Sequence, residues 1–133
     1  AIVVLNALGD VRDPDTGAWL ARSEDPSGMG RGARELAIAA VSTPGDAENT
    51  TIGAIMISGP ASRDALIRCC ISAHDALARC IVPAHTLFDG DTFFAAAQHS
   101  GETTQSGILA LAAATEVAVE RAIVGLIGGL AGS

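Results

Sequence analysis

Two short runs in this sequence combine residue types that can break an amide bond. Asn49-Thr50-Thr51-Ile52 stands where a polar stretch gives way to an apolar, strand-like run, and Asp89-Gly90-Asp91-Thr92 opens a second such run further along. A hydroxyl residue directly after Asn, where a loop becomes a strand, can attack its own preceding carbonyl, cut the chain and emerge as a new N-terminal nucleophile. Inside the chain, Thr50 has no general base of its own. As a chain terminus it would carry an α-amino group with a pKa of about 7.7 to 8.0, able to take up the hydroxyl proton near neutral pH. Asp89 and Asp91, separated by one glycine, form the pair of carboxylates that would hold the hydroxyl and the developing ammonium through charge-assisted hydrogen bonds. Taken separately, each run has a plainer reading: Asp-Gly-Asp is also turn chemistry or a fragment of a calcium loop.

Three stretches together resemble a known family. Glu48-Asn49-Thr50-Thr51-Ile52-Gly53-Ala54-Ile55, Ala73-His74-Asp75-Ala76-Leu77-Ala78-Arg79 and Pro83-Ala84-His85-Thr86-Leu87-Phe88-Asp89-Gly90-Asp91-Thr92-Phe93-Phe94-Ala95 look like the C-terminal part of the DmpA-type aminopeptidases, a family that also holds β-peptidyl aminopeptidases and nylon-oligomer endo-hydrolases. The resemblance implies an α/β protein built as part of a layered αββα sandwich, with a mixed sheet and two long helices. It also implies an inactive precursor that cuts itself between Asn49 and Thr50, leaving residues 1–49 as the end of an α chain and 50–133 as a β chain. Thr50 matches the family's nucleophile, Asp89 and Asp91 its acidic partners, and Asn6 the residue whose amide serves the oxyanion hole. A strand-capping role fits Asn6 equally well. The Asp/Asp choice resembles the nylon-oligomer branch, since several aminopeptidases have Ser and Glu there. The family's site also draws on a Lys or Tyr from an earlier portion, and this sequence contains neither. The implied partners are a small peptide or amide substrate, an N-terminal portion of the same protein, and further copies assembled as a homo-oligomer of α/β heterodimers. No cofactor is implied.

The elements that must position these residues follow from the apolar pattern. Residues 1–8 read as a buried strand; the Gly-, Asp- and Pro-rich residues 9–35 read as a surface loop or hairpin around Asp13-Pro14-Asp15-Thr16-Gly17. Strand character returns over 36–42. Ser42 to Glu48 then reads as the linker that presents the Asn49-Thr50 bond. A strand over 51–57 leads into a helix over about 62–80, with Ser62 as its cap and Leu66, Cys70, Ala73, Leu77 and Cys80 at helical spacing. Asp64 with Arg68 and Asp75 with Arg79 are acid-before-base pairs suited to its solvated side. Pro83 stops that helix, the acidic loop feeds a strand over 91–97, and a second long helix spans about 105–127, with Ile108, Ala112, Thr115, Val119, Ile123 and Leu126 on one face and Gly128-Gly129 at its end.

Composition narrows the function classes. Eight Arg against fifteen acidic residues give a net charge of −7, with no basic patch to neutralise phosphates, so nucleic acid is not an expected partner. The 49% hydrophobic content, nearly all aliphatic, suits closely packed layers whose surfaces expect covering, and the sequence opens without Met inside a strand-like run, as a C-terminal piece of a larger domain would. Ser106 to Gly132 is long and apolar, but Glu116, Glu120 and Arg121 fall in its centre, so no membrane span is expected. Cys69, Cys70 and Cys80 share one predicted helix, too far apart at its ends for a disulfide, and read as buried thiols in a reducing, cytoplasmic compartment. His74, His85 and His99 lack ligand spacing, so no metal is expected. His85 instead suits bracing the loop that carries Asp89, and His74 a local hydrogen bond. The reading is therefore an amide hydrolase with an N-terminal Thr nucleophile. Its rival is a noncatalytic fragment or assembly subunit of the same fold, and acyl transfer to an amino acceptor, as in ornithine acetyltransferases, ranks last.

Overall fold

In the computed structural model, which describes residues 1–25, 28–39 and 49–131, the chain is an α/β protein. Two long helices, α2 (Arg63–Cys80) and α3 (Gln105–Ala131), pack against each other and against one face of a three-stranded sheet. That sheet runs in the order β1 (Ile2–Val4), β4 (Ile52–Ala61), β6 (Thr92–Ser100). β1 is antiparallel to β4 and β6 is parallel to it, so the sheet is mixed, as expected. A second sheet joins β3 (Trp19–Ala21), β2 (Asp10–Arg12) and β5 (Ile81–Val82), all antiparallel.

Strict alternation along the central strands explains the layering. Gly53, Ile55 and Phe93 point into the helices and are buried, whereas Ile52, Met56 and Phe94 point the other way and are exposed. Phe93 lies flat over Gly53, where any Cβ would overlap its ring. On the helix side, α2 presents Ala65, Cys69, Ser72, Ala73, Ala76, Leu77 and Cys80, a stripe of mostly small side chains that lets α3 approach with Ala112, Val119 and Ile123. Most of the two predicted faces is buried here, although Leu66, Cys70 and Ile108 are half-buried and Leu126 is exposed. The predicted cap holds: the Ala65 amide donates to Ser62 Oγ at 3.2 Å, and the Ser62 amide donates to Thr103 Oγ1 at 2.9 Å, tying the start of α2 to the approach of α3.

Several expectations are corrected. The run expected as a strand over 36–42 contains instead the helix α1 (Ala33–Ile38), and residues 40–42, with the linker to Glu48, lie outside the described residues. Ala, Arg, Glu and Leu are strong helix formers, and the helix start is satisfied from two sides: Asp10 Oδ2 accepts from the Ala33 amide at 2.9 Å and Glu35 from the Gly32 amide at 3.0 Å. Residues 1–8 are not a fully buried strand, because β1 is an edge of the sheet with Ile2 and Val4 exposed. The segment 9–35 includes the β2–β3 hairpin, closed by Asp13 accepting from the amides of Asp15 and Thr16, with Gly17 at φ 74°. α3 continues through Gly128-Gly129, because neither glycine is needed for a turn there. The anticipated pairs along α2 are also replaced: Arg68 reaches Asp75 at 3.9 Å, and Arg79 crosses to Glu120 of α3 at 3.0 Å. Burial raises the Glu120 carboxyl above its ordinary range, an effect that Arg79 opposes. None of the described helices is long and apolar enough to cross a membrane.

Replacing Ser62 by Ala removes a cap bond at the helix that forms the crossover between β4 and β6. We expect Ser62→Ala to lower unfolding free energy by about 1 kcal/mol in a denaturant titration, with an unchanged m-value.

Candidate active site

Parallel pairing of β4 with β6 brings the two chemical runs together. The register that matches Ile52 to Thr92 holds three residues before both strands, in a parallel bridge between Asn49 and Asp89. Both runs therefore lie side by side at the same end of adjacent strands, although α2 and β5 separate them in sequence. The Asn49-Thr50 peptide is held from both neighbours. Its nitrogen donates to the Asn6 main-chain carbonyl at 2.9 Å, and its carbonyl accepts from the Gly90 amide at 2.9 Å. The ladder continues with the Thr92 amide donating to the Thr51 carbonyl at 2.8 Å.

Thr50 is half-buried, and its hydroxyl donates to the Asn49 carbonyl oxygen at 2.7 Å. That oxygen thus carries two donors, the hydroxyl and the Gly90 amide, an arrangement suited to polarising a carbonyl. Gly90 faces the hydroxyl directly: a Cβ there would stand 3.0 Å from Thr50 Oγ1. By strand alternation Thr50 lies on the side of Ile52 and Met56, away from the helices, whereas Thr51 lies on the helix side. Thr51 is fully buried, and its hydroxyl has no hydrogen-bond partner among the described residues.

The two carboxylates have different surroundings. Asp91 is largely buried; Oδ1 accepts from the Thr51 amide at 2.9 Å, and Oδ2 lies 3.2 Å from His85 Nδ1. Asp89 Oδ2 accepts from the Thr86 amide at 2.8 Å, closing its own loop, while Oδ1 is buried with no hydrogen-bond partner among the described residues. The Thr50 hydroxyl thus bonds to Asn49, while Asp91 takes the amide that follows Thr50 and Asp89 takes the Thr86 amide of its own loop. His85, expected to brace the loop that carries Asp89, stands against Asp91 of that loop. The ring of His74 packs edge-on to Phe93 with centroids 4.9 Å apart, and burial, then the neighbouring His85, holds its pKa below the ordinary range.

Asn6 contributes its main chain to the site. The residue is exposed and lines a cleft of about 330 Å³ together with Ala7, Gly9, Arg22 and Ser23. Elsewhere, the thiols are poor nucleophiles: burial pushes Cys80 up to about 11 and raises Cys70. Among the described residues no three His, Cys, Asp or Glu side chains cluster as metal ligands. Sequence reasoning missed the Gly90 amide as a donor and the His85–Asp91 contact. The glycine between two acids was the available signal for the first; only the fold of the loop after Pro83 reveals the second.

The model of peptidase family S58 matches residues 1–127. An uncharacterized aminopeptidase of Mycobacterium leprae is 37% identical over 119 residues, which cover 87% of this chain and 33% of that relative, so the chain spans about a third of its length. A family match over residues 1–127, nearly the whole chain, places this protein in peptidase family S58.

Proposed function

We propose that this chain is part of a self-processing amide hydrolase in which Thr50 first cuts the Asn49-Thr50 bond and then acts as the N-terminal nucleophile on substrate. One observation carries the reading: a peptide bond whose carbonyl oxygen accepts from both its own Thr hydroxyl at 2.7 Å and the Gly90 amide at 2.9 Å. In self-cleavage, Thr50 Oγ1 attacks the Asn49 carbonyl carbon, and the Gly90 amide stabilises the negative charge on the oxygen. The hydroxyl proton passes to the Thr50 nitrogen, the C–N bond breaks, and an ester links Asn49 to Thr50 Oγ1. Water then hydrolyses the ester, leaving a carboxylate on Asn49 and a free amine on Thr50.

In the mature enzyme the Asn6 carbonyl, which already accepts from the Thr50 nitrogen, holds the α-amine in place. That amine takes the hydroxyl proton as Thr50 attacks the substrate amide and hands it to the leaving amine; water then releases the acyl group. Asp89 and Asp91 fix the main chain around the nucleophile, and the unsatisfied Asp89 Oδ1 is an acceptor available to the new ammonium. The cleft beside Asn6 offers room for a substrate group. Its substrates are small peptides or amides with the Asp/Asp pair leaning toward oligoamides of the nylon-oligomer type. The M. leprae relative is named an aminopeptidase, which supports the broader class.

Exposed Ile2, Val4, Ile52, Met56 and Phe94 on the open sheet face support a layered arrangement in which the rest of the protein supplies a second sheet, and with it the Lys or Tyr absent here. Pairs of α and β chains would then assemble further. The absence of Lys and Tyr also favours a second reading, a noncatalytic subunit of the same fold.

Two substitutions, made in the protein expressed from its complete gene, separate these readings. Thr50→Ala removes one hydroxyl used twice, so both self-cleavage and amide hydrolysis should fall at least about a thousandfold. Normal cutting by that variant assigns the chemistry elsewhere, and normal hydrolysis likewise. Gly90→Ala places a methyl group against the Thr50 hydroxyl and should slow self-cleavage about tenfold, followed by gel electrophoresis over time, with little change in melting temperature. An unaltered rate would mean that the observed hydroxyl position is not the reactive one.

A further inference from the structure

The loop between β5 and β6 contains a histidine that the proposed chemistry does not use. Residue 85 has φ 54°, in the left-handed region that side-chain-bearing residues other than Asn, Asp and His seldom occupy. That backbone turn directs the ring between two acceptors. Nδ1 is 3.2 Å from Asp91 Oδ2, and Nε2 is 3.4 Å from the carbonyl of His74 on α2. The ring thus stands against that carboxylate's second oxygen while the first accepts from the Thr51 amide. The ring is also 5.1 Å, centroid to centroid, from His74, which rests on Phe93. A line of contacts thus runs from the crossover helix through His85 and Asp91 to the residue immediately after Thr50.

We infer that His85 is a positioning residue for self-cleavage: by holding Asp91 through Nδ1, it fixes the Thr51 main chain and so the register of the Asn49-Thr50 bond against Gly90. The inference rests on the self-processing reading of Thr50. His85 touches neither the scissile carbonyl nor the hydroxyl, so it acts only through Asp91. Its Nδ1 stands at ion-pair distance from a carboxylate whose side chain is 7% exposed, while its own side chain is 41% exposed. Replacing it therefore removes an orienting contact without opening the core.

The test compares His85→Ala, His85→Asn and His85→Gln in the protein expressed from its complete gene, following the appearance of the chain that begins at Thr50. Asn tolerates the left-handed backbone and brings an amide donor to the position of Nδ1, whereas the Gln amide reaches the position of Nε2. His85→Ala and His85→Gln should slow self-cleavage by about tenfold to a hundredfold, the loss of one close contact to a charged group, and His85→Asn should recover to within about threefold of the parent. In matured enzyme the loss should fall on kcat, with KM for a chromogenic N-terminal amide unchanged. Equal rates for Ala and parent overturn the inference, as does equal impairment of Asn and Gln, which a general loss of folding would produce. Thr50→Ala is run alongside. If it still cuts at residue 50, the nucleophile assignment fails; if it is blocked while His85→Ala cuts normally, only the role of His85 fails.

Discussion

The site depends on β4 and β6 lying parallel and adjacent. Parallel neighbours cannot be joined by a tight turn, so the chain must leave the end of β4, return along α2 and re-enter β6 from the same side as it entered β4. That return path is why two runs so far apart in sequence begin their strands together, and why Asn49 bridges Asp89. Starting ends of such strands expose main-chain groups whose ladder is about to begin. Here those groups are spent on the Asn49-Thr50 peptide: its carbonyl takes the Gly90 amide, and its nitrogen finds Asn6.

Strand alternation then divides the labour between consecutive residues. Thr51, Gly53 and Ile55 turn into the helix layer, where Phe93 covers Gly53 and Asp91 takes the Thr51 amide. Thr50, one residue earlier, turns the other way, onto the face where Ile52, Met56 and Phe94 are exposed. For the nucleophile proposed above, anchoring by buried neighbours while facing the uncovered side would meet two demands: a main chain held in place, and a hydroxyl within reach of a substrate. Gly90 serves the same end by leaving space beside that hydroxyl.

Much of this was legible in the sequence where a single local signal dominated. Ser62 ahead of an apolar, 3.6-spaced run marked the start of α2, and apolar spacing placed both long helices and both central strands, although β4, β6 and α3 run past their expected ends at residues 57, 97 and 127. The pairing of Asn49-Thr50 with Asp89 and Asp91 was legible through family resemblance, since no local rule says that two strand starts will be neighbours. The α1 segment was misread because a short run of Leu, Ala and Ile fits either period, and its helical start is decided by Asp10, a residue far away in sequence. Asp91 and His85 show the same limit: their contact requires the left-handed turn at residue 85, which nothing in the sequence around Pro83 demanded. The edge position of β1 was hidden because an apolar run looks alike whether its outer face is covered within the chain or by something else.

The central claim is that Thr50 becomes a chain terminus. The most direct measurement is the intact mass and N-terminal sequence of the protein expressed from its complete gene, taken under denaturing conditions. Two chains are expected, the smaller opening Thr-Thr-Ile-Gly at residue 50. A single uncut chain after prolonged incubation, or a smaller chain that begins at any other residue, contradicts it.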